Sequence, residues 1–283
     1  MNAGRRGEEE RAVLISAGLP CGRGCSCARV VLRRRVLRLL QFMGAGVEPP
    51  ELFLVTEYVK NGSLMTCMSN PKVKFTWERR VSYAIGCASG MSYLHCNSPP
   101  VMHLDLKSAN LLISDADQVK ICDFGLSRLL SDDSSASVDT KSCPPGTLLY
   151  IAPELLASNA VPDLPCDVYS FGLVMVELVT RSLPYAREVV SRGPKFREWF
   201  LAHKKTTLPN IPKTTSGPWR RLIGDCLKND PTQRPTFTEI SALLREFDVS
   251  CCRECAGELR VVLFAMRVLV ITIAFCAGAD LTD

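Results

Sequence analysis

The chain has 283 residues, 47% of them hydrophobic and 22% charged, with a formal net charge of +5. That length buries a substantial core as one large domain or two small ones, the apolar share is ordinary for a globular protein, and so modest a charge gives no reason to expect a nucleic-acid partner. Of the fourteen cysteines, most between Cys67 and Cys226 are isolated among apolar or small residues, which argues against a disulfide scaffold and for reduced thiols in a cytoplasmic protein.

Up to Arg38 the chain holds nine arginines and three glutamates. No apolar run of adequate length follows the first arginines, so a secretory signal is not expected. Glu8, Glu9 and Glu10 interrupt what would otherwise suit a mitochondrial presequence. Cys21-Gly-Arg-Gly-Cys-Ser-Cys27 places Gly22 and Gly24 at the first two positions of a glycine-rich phosphate loop, with Cys27 at the third. A flexible loop is the simpler reading of so partial a motif. Cys21, Cys25 and Cys27 also lack the fourth ligand that structural zinc requires. Val30 to Leu40 alternates arginine with apolar residues and suits an amphipathic helix with a solvated basic face.

From Leu37 the text changes. Leu39 to Gly46 predicts a strand ending in a glycine turn, Glu48-Pro-Pro50 is a break, and Glu51 to Val59 predicts a second strand completing a hairpin. Asn61-Gly-Ser-Leu64 marks a turn and the start of a short helix. Trp77, Val81, Ala84, Ile85, Ala88, Met91 and Leu94 recur at helical spacing and predict a helix from Trp77 to His95 with one buried stripe. Tyr93 is expected in the core with them. Asn97-Ser-Pro-Pro100 ends that helix, because proline cannot continue it.

Next comes Val101-Met-His-Leu-Asp-Leu-Lys-Ser-Ala-Asn-Leu-Leu-Ile113, in which Asp105, Lys107 and Asn110 stand between two apolar ends. Leu111 to Ser114 and Gln118 to Ile121 predict a hairpin around Asp115-Ala-Asp117. Asp123-Phe-Gly125 follows, then a polar stretch from Ser127 to Pro145, then Gly146-Thr-Leu-Leu-Tyr-Ile-Ala-Pro-Glu154. Asp167 opens a helix to Thr180 that is apolar nearly all round, so it belongs at the centre of a domain. Trp219 to Leu227 and Phe237 to Phe247 read as amphipathic helices.

The order and spacing of these motifs resemble the eukaryotic protein kinase domain, and within it the tyrosine-kinase-like (Raf and plant-type) serine/threonine group. The resemblance implies an α+β fold, bilobal and protein-kinase-like, with a complete, mainly helical large lobe and an incomplete β small lobe. It divides the chain into an atypical Arg/Cys-rich segment 1–36, a small-lobe remnant and hinge 37–59, a large lobe 60–248, and a Cys-rich, apolar tail 249–283. It implies transfer of the ATP γ-phosphate to Ser or Thr hydroxyls of a protein substrate, with ATP and Mg2+ as cofactors. Asp105 would orient the substrate hydroxyl, Lys107 would stabilise the transferring phosphoryl group, and Asn110 and Asp123 would ligate magnesium. Such chemistry asks for positioning and charge neutralisation more than for covalent help, and these residue types supply both. Lys107 and Thr147 suit the serine/threonine type, and Thr147 would bond the catalytic carboxylate and lysine. Thr56 would stand at the back of the adenine pocket, the backbones of Glu57 and Val59 would meet the adenine edge, Ser63 would lie near the ribose, and Leu112 would pack beneath the ring. His103 and Phe124 would pack internally, Asp167 would hold the catalytic-loop backbone, and Glu154 would pair with Arg234, since a buried carboxylate needs a partner.

Three features depart from the family. Leu104 stands where an arginine usually pairs with an activation-loop phosphate, so control through Ser131, Ser134, Ser135, Ser137, Thr140 or Ser142 is not expected. No lysine precedes Lys60, so the lysine that anchors the α- and β-phosphates has no usual place. A complete small lobe needs about 50 residues upstream at average element lengths, more than precede Leu37. Weak or absent ATP turnover follows as an expectation, with a catalytically impaired, scaffold-like kinase fragment as the alternative function. The apolar run Val261 to Cys276 is broken by Arg267 and is short for a membrane span, so anchoring by the tail is disfavoured.

Overall fold

A computed structural model describes residues 13–16, 38–48, 51–129, 145–157, 160–204 and 207–255. Its first element is strand β1 (Val13–Ser16), followed by β2 (Phe42–Glu48) and β3 (Glu51–Thr56). They form one antiparallel sheet in the order β1-β3-β2, with Val13 opposite Thr56 and Ala45 opposite Leu54. The β2–β3 hairpin is the expected one, with shifted ends. β2 begins at Phe42 rather than Leu39, because Leu39 and Leu40 pair instead with Ile121 of the large lobe. β1 lies in the segment for which the sequence offered only loops and a basic helix. The phosphate-loop and zinc readings of Cys21–Cys27 and residues 30–37 of the helix expected from Val30 to Leu40 lie outside the described residues; its last three residues are not helical, since Arg38, Leu39 and Leu40 engage Ile121 instead.

The large lobe opens with helices α1 (Leu64–Ser69) and α2 (Trp77–His95). Thr76 caps α2 by accepting from the Arg79 N–H at 3.4 Å, and Glu78 lies in the first turn, where a carboxylate suits the positive helix end. Val81, Ala84, Ala88, Met91 and Leu94 are buried as their spacing required, and Trp77 and Ile85 pack against them half-buried. Tyr93 is exposed, contrary to expectation. It sits off the stripe, which turns at 3.6 residues per turn and passes it by. Strands β4 (Val101–Met102), β5 (Leu111–Ile113), β6 (Val119–Ile121) and β7 (Arg128–Leu129) follow, β4 pairing with β7 and β5 with β6.

After α3 (Pro145–Leu148), helix α4 (Pro165–Thr180) runs through the centre of the lobe, buried from Cys166 to Leu178. It begins with Pro165, whose missing N–H costs nothing there, and ends where Arg181 turns left-handed at φ 54°. Helices α5 (Ala186–Arg192), α6 (Phe196–His203), α7 (Gly217–Cys226) and α8 (Phe237–Cys255) complete the lobe. α4 and α7 meet at Gly172, where a Cβ would stand 2.9 Å from Cys226 Cβ, so only glycine permits this approach. Trp219 on α7 is buried and meets Trp77 edge-on, centroids 4.9 Å apart. Burial of each such side chain stabilises the lobe by about 1.5 to 3 kcal/mol.

α8 continues to Cys255 and so crosses the boundary placed at 248. Among the described residues no helix is long and apolar enough to cross a membrane; the apolar run Val261–Cys276 lies outside them. Cys67, Cys87, Cys166 and Cys226 are buried free thiols, Cys122 is half-buried and Cys96 is exposed.

Candidate functional site

Asp167 organises the floor of the site. Its Oδ2 accepts the His103 N–H at 2.8 Å and its Oδ1 accepts the Leu104 N–H at 2.7 Å. His95 Nε2 donates to Oδ2 at 2.9 Å. Leu104 sits at φ 62°, a left-handed conformation that a branched side chain adopts only under constraint. The two bonds from Asp167 supply that constraint and fix the direction in which the chain leaves toward Asp105. His103 is fully buried; its Nε2 donates to the Cys122 carbonyl at 3.0 Å and its Nδ1 accepts the Asp105 N–H at 3.3 Å. It is an internal post between the loop and the Asp123 segment, as expected. Phe124 packs on it with centroids 5.2 Å apart, yet remains partly exposed, so it is less internal than the sequence suggested.

Above this floor the polar residues converge. Lys107 Nζ donates to Asp105 at 2.9 and 2.7 Å and to Thr147 Oγ1 at 2.9 Å. Asn110 Nδ2 donates to Asp105 Oδ2 and to the Asp105 carbonyl, both at 2.9 Å. Both amide hydrogens are thereby engaged, which leaves Asn110 Oδ1 as a free-standing oxygen donor. The Cys122 N–H bonds the Asn110 carbonyl at 3.0 Å, so Asp123 begins beside Asn110. Asp123 is exposed at φ 64°, and its Oδ1 accepts the Gly125 N–H at a long 3.4 Å. One amide oxygen and one exposed carboxylate are hard oxygen donors of the kind magnesium takes when substrate phosphates and waters complete its shell. Burial pushes the Cys122 thiol up to about 12, with the charges of Asp123 and Asp105 adding to the effect, so no thiolate competes there.

A second group lines the junction between the sheet and the large lobe. Ser63 is bridged to Leu112, the Ile113 N–H bonds the Gly62 carbonyl at 2.9 Å, and Asn61 Nδ2 donates to the Ser114 carbonyl at 3.0 Å. These bonds hold the segment after β3 against β5. The Glu57 N–H is taken by the Gln41 carbonyl at 3.0 Å, and the Val59 carbonyl by the Gly62 N–H at 3.3 Å. Among the described residues the Val59 N–H makes no hydrogen bond, and the Glu57 carbonyl accepts only from the Thr56 hydroxyl. Thr56 Oγ1 lies at the end of β3 and donates to the Glu57 carbonyl at 3.3 Å. The Ser63 hydroxyl accepts the Thr66 N–H at 3.2 Å and caps α1, so it is committed to the helix.

Sequence reasoning missed one pairing here. The Glu57 carboxylate forms an ion pair with Lys120 on β6 and accepts the Gln41 N–H at 2.8 Å, which ties the hinge to both lobes. Glu154 and Arg234 form the expected pair, bidentate at 2.6 and 2.8 Å. Ser131 to Ser142 lie outside the described residues. A cavity of about 70 Å³ opens beside Asp105, walled by Leu104, Leu126, Tyr150, Ile151 and Leu155.

Comparison with known proteins agrees with this geometry. The protein kinase domain family matches residues 27–243. A probable serine/threonine-protein kinase of Dictyostelium discoideum, drkC, is 38% identical over 213 residues, 75% of this chain and 27% of the relative. The serine/threonine-protein kinase CTR1 of Arabidopsis thaliana is 37% identical over 223 residues, 76% of this chain and 25% of the relative. A dual specificity protein kinase of Dictyostelium discoideum, shkC, is 38% identical over 211 residues, 72% of this chain and 39% of the relative. The chain thus spans between a quarter and two fifths of the length of these relatives. With the match covering most of its length and the motif residues gathered at one site, the chain belongs to the protein kinase domain family.

Proposed function

We propose that the chain transfers the γ-phosphate of ATP to serine or threonine hydroxyls of a protein acceptor. The observation that carries this reading is the single network in which Lys107 and Asn110 both donate to Asp105 while Lys107 also holds Thr147. Lys107 and Asn110 hold the Asp105 carboxylate in place, and an incoming hydroxyl would meet it as acceptor. Lys107 places an ammonium group beside that carboxylate, where charge on a transferring phosphoryl group is to be neutralised. Thr147 fixes the direction of the ammonium. Asn110 Oδ1 and the Asp123 carboxylate would hold magnesium, which when bound neutralises phosphate charge and aligns the leaving oxygens.

The Glu57 carbonyl and the Val59 N–H would bind the adenine edge, with Leu112 below the ring, Thr56 behind it and Ser63 near the ribose. Strand β1 borders β3 and reads Val-Leu-Ile-Ser. None of its four residues is a lysine, and no lysine precedes Lys60, so the reading expects turnover below that of a kinase with a phosphate-anchoring lysine.

Nucleotide binding with and without magnesium tests the assignment. In the whole chain, magnesium strengthens ATP binding by about tenfold or more, and Asp123→Asn removes most of that gain, on the scale of one lost charge-assisted contact. Equal affinity with and without magnesium in the unsubstituted chain would defeat the proposal.

A further inference from the structure

Lys204 is a buried cation that the phosphotransfer reading does not use. It follows α6 and is 2% exposed. Its Nζ donates to the Leu149 carbonyl at 3.2 Å and to the Tyr185 hydroxyl at 3.3 Å. Three rings surround the ammonium: Tyr169 from α4 and Tyr185 at 4.8 Å each, and Phe200 from α6 at 4.6 Å. Among the described residues no carboxylate forms an ion pair with it. Glu154, the nearest acidic influence, is already held by Arg234, whose guanidinium lies 5.0 Å from the centre of the Tyr169 ring. Burial drives the amine well below its ordinary pKa, with Glu154 opposing.

Such a placement is costly, because an ammonium that leaves water without a counter-ion loses its hydration. The three ring contacts return part of this cost. An apolar side chain of the same length would fill the cage without the penalty. The lysine differs from such a side chain in what it can donate to, and its backbone acceptor is Leu149. That carbonyl lies between Thr147, which holds Lys107, and Tyr150 and Ile151, which wall the cavity beside Asp105. The segment also carries two turn bonds, Tyr150 N–H to the Thr147 carbonyl at 3.1 Å and Ile151 N–H to the Leu148 carbonyl at 3.4 Å, and α4 holds it through the Ser170 hydroxyl, which donates to the Tyr150 carbonyl at 2.9 Å. Lys204 ties the middle of this turn, at the Leu149 carbonyl, to the end of α6.

We infer that Lys204 is a positioning residue that fixes the Thr147–Ile151 segment, and through it the wall on which a protein acceptor lies. The inference rests on the proposed phosphotransfer for its kinetic consequence, but not for its structural one. It acts on the acceptor side and leaves the adenine side alone, since no described contact links Lys204 to Glu57, Val59 or Leu112.

The test uses Lys204→Met, which keeps the length and fills the cage, and Lys204→Gln, which keeps an uncharged N–H donor on a shorter stem. Hydrogen exchange by mass spectrometry is read first on the whole chain without nucleotide. In Lys204→Met, exchange of the Leu148–Ile151 amides rises about tenfold, the scale of one lost backbone-directed bond, while α4 and α7 keep their protection. Lys204→Gln recovers part of it. If the chain phosphorylates casein, Lys204→Met raises the KM for casein by a similar factor and leaves the KM for ATP unchanged. Unchanged exchange at Leu148–Ile151 would overturn the inference, and so would a rise spread equally over α4 and α7, which would mark a purely structural role. Should Lys204→Met fail to fold, the same comparison is made with Lys204→Gln. A chain without phosphotransfer defeats the proposed function and leaves the exchange result standing by itself.

Discussion

Glu177 offers a quantitative test of how the catalytic loop is supported. It lies on α4, 1% exposed, directly beneath the loop. Its Oε1 accepts the Ser108 hydroxyl at 2.8 Å, and its Oε2 has no partner among the described residues. Burial raises the carboxyl from its ordinary 4.5 to about 7, while Ser108 and Tyr150 pull the other way. The folded protein therefore binds a proton there that the unfolded chain releases between those two values. Stability contributed by that proton is fully present below the unfolded value and is lost as pH rises through about 7. The full linkage is on the order of 3 kcal/mol, of which about 1 kcal/mol falls between pH 6 and pH 8. Glu177→Gln imitates the protonated acid and abolishes the dependence. Urea unfolding of both chains at pH 6, 7 and 8 measures it. The unsubstituted chain should lose about 1 kcal/mol relative to Glu177→Gln over that interval. A difference independent of pH would show that Glu177 is ionised throughout, and the account of a dry floor under the loop would fail.

Two further outcomes follow from the same contacts. Glu154→Gln leaves the Arg234 side chain, 0% exposed, without its counter-charge. Because Glu154 itself is 24% exposed, the loss in urea unfolding should be about 2 to 3 kcal/mol, below that of a fully buried pair. Leu104 offers no cation to a phosphate, so phosphatase treatment should leave any phosphotransfer activity unchanged; a loss of activity would show that another residue reads the phosphate.

The large lobe was legible where one pattern dominated. The seven-residue stripe of α2 and the all-round apolar run of α4 each admit one burial solution, and both helices appear close to their expected limits. The Glu154–Arg234 pair was legible because the family resemblance marks both residues and a buried carboxylate without a partner is costly. The short elements were not. α5 and α6 have 7 and 8 residues, too few to show a face or to be stable alone, so packing and not local preference decides them. β1 contributes four residues whose pairing with β3 has no local signal. Lys204 and Glu177 escaped notice because charged residues read as solvated by default, and only the fold reveals the rings around one and the orphan oxygen of the other. Ser63 did carry a signal, a hydroxyl immediately before the short helix, which is the pattern of an N-cap.

Phosphorylation of casein by the whole chain, with magnesium and labelled ATP, tests the central arrangement most directly. Asp105→Asn replaces an acceptor of three side-chain hydrogen bonds, two from Lys107 and one from Asn110, with an amide that cannot accept a proton. Turnover should fall by about 10² to 10⁴, the range of a lost general base, while magnesium-dependent ATP binding persists. Turnover unchanged by Asp105→Asn would contradict the account.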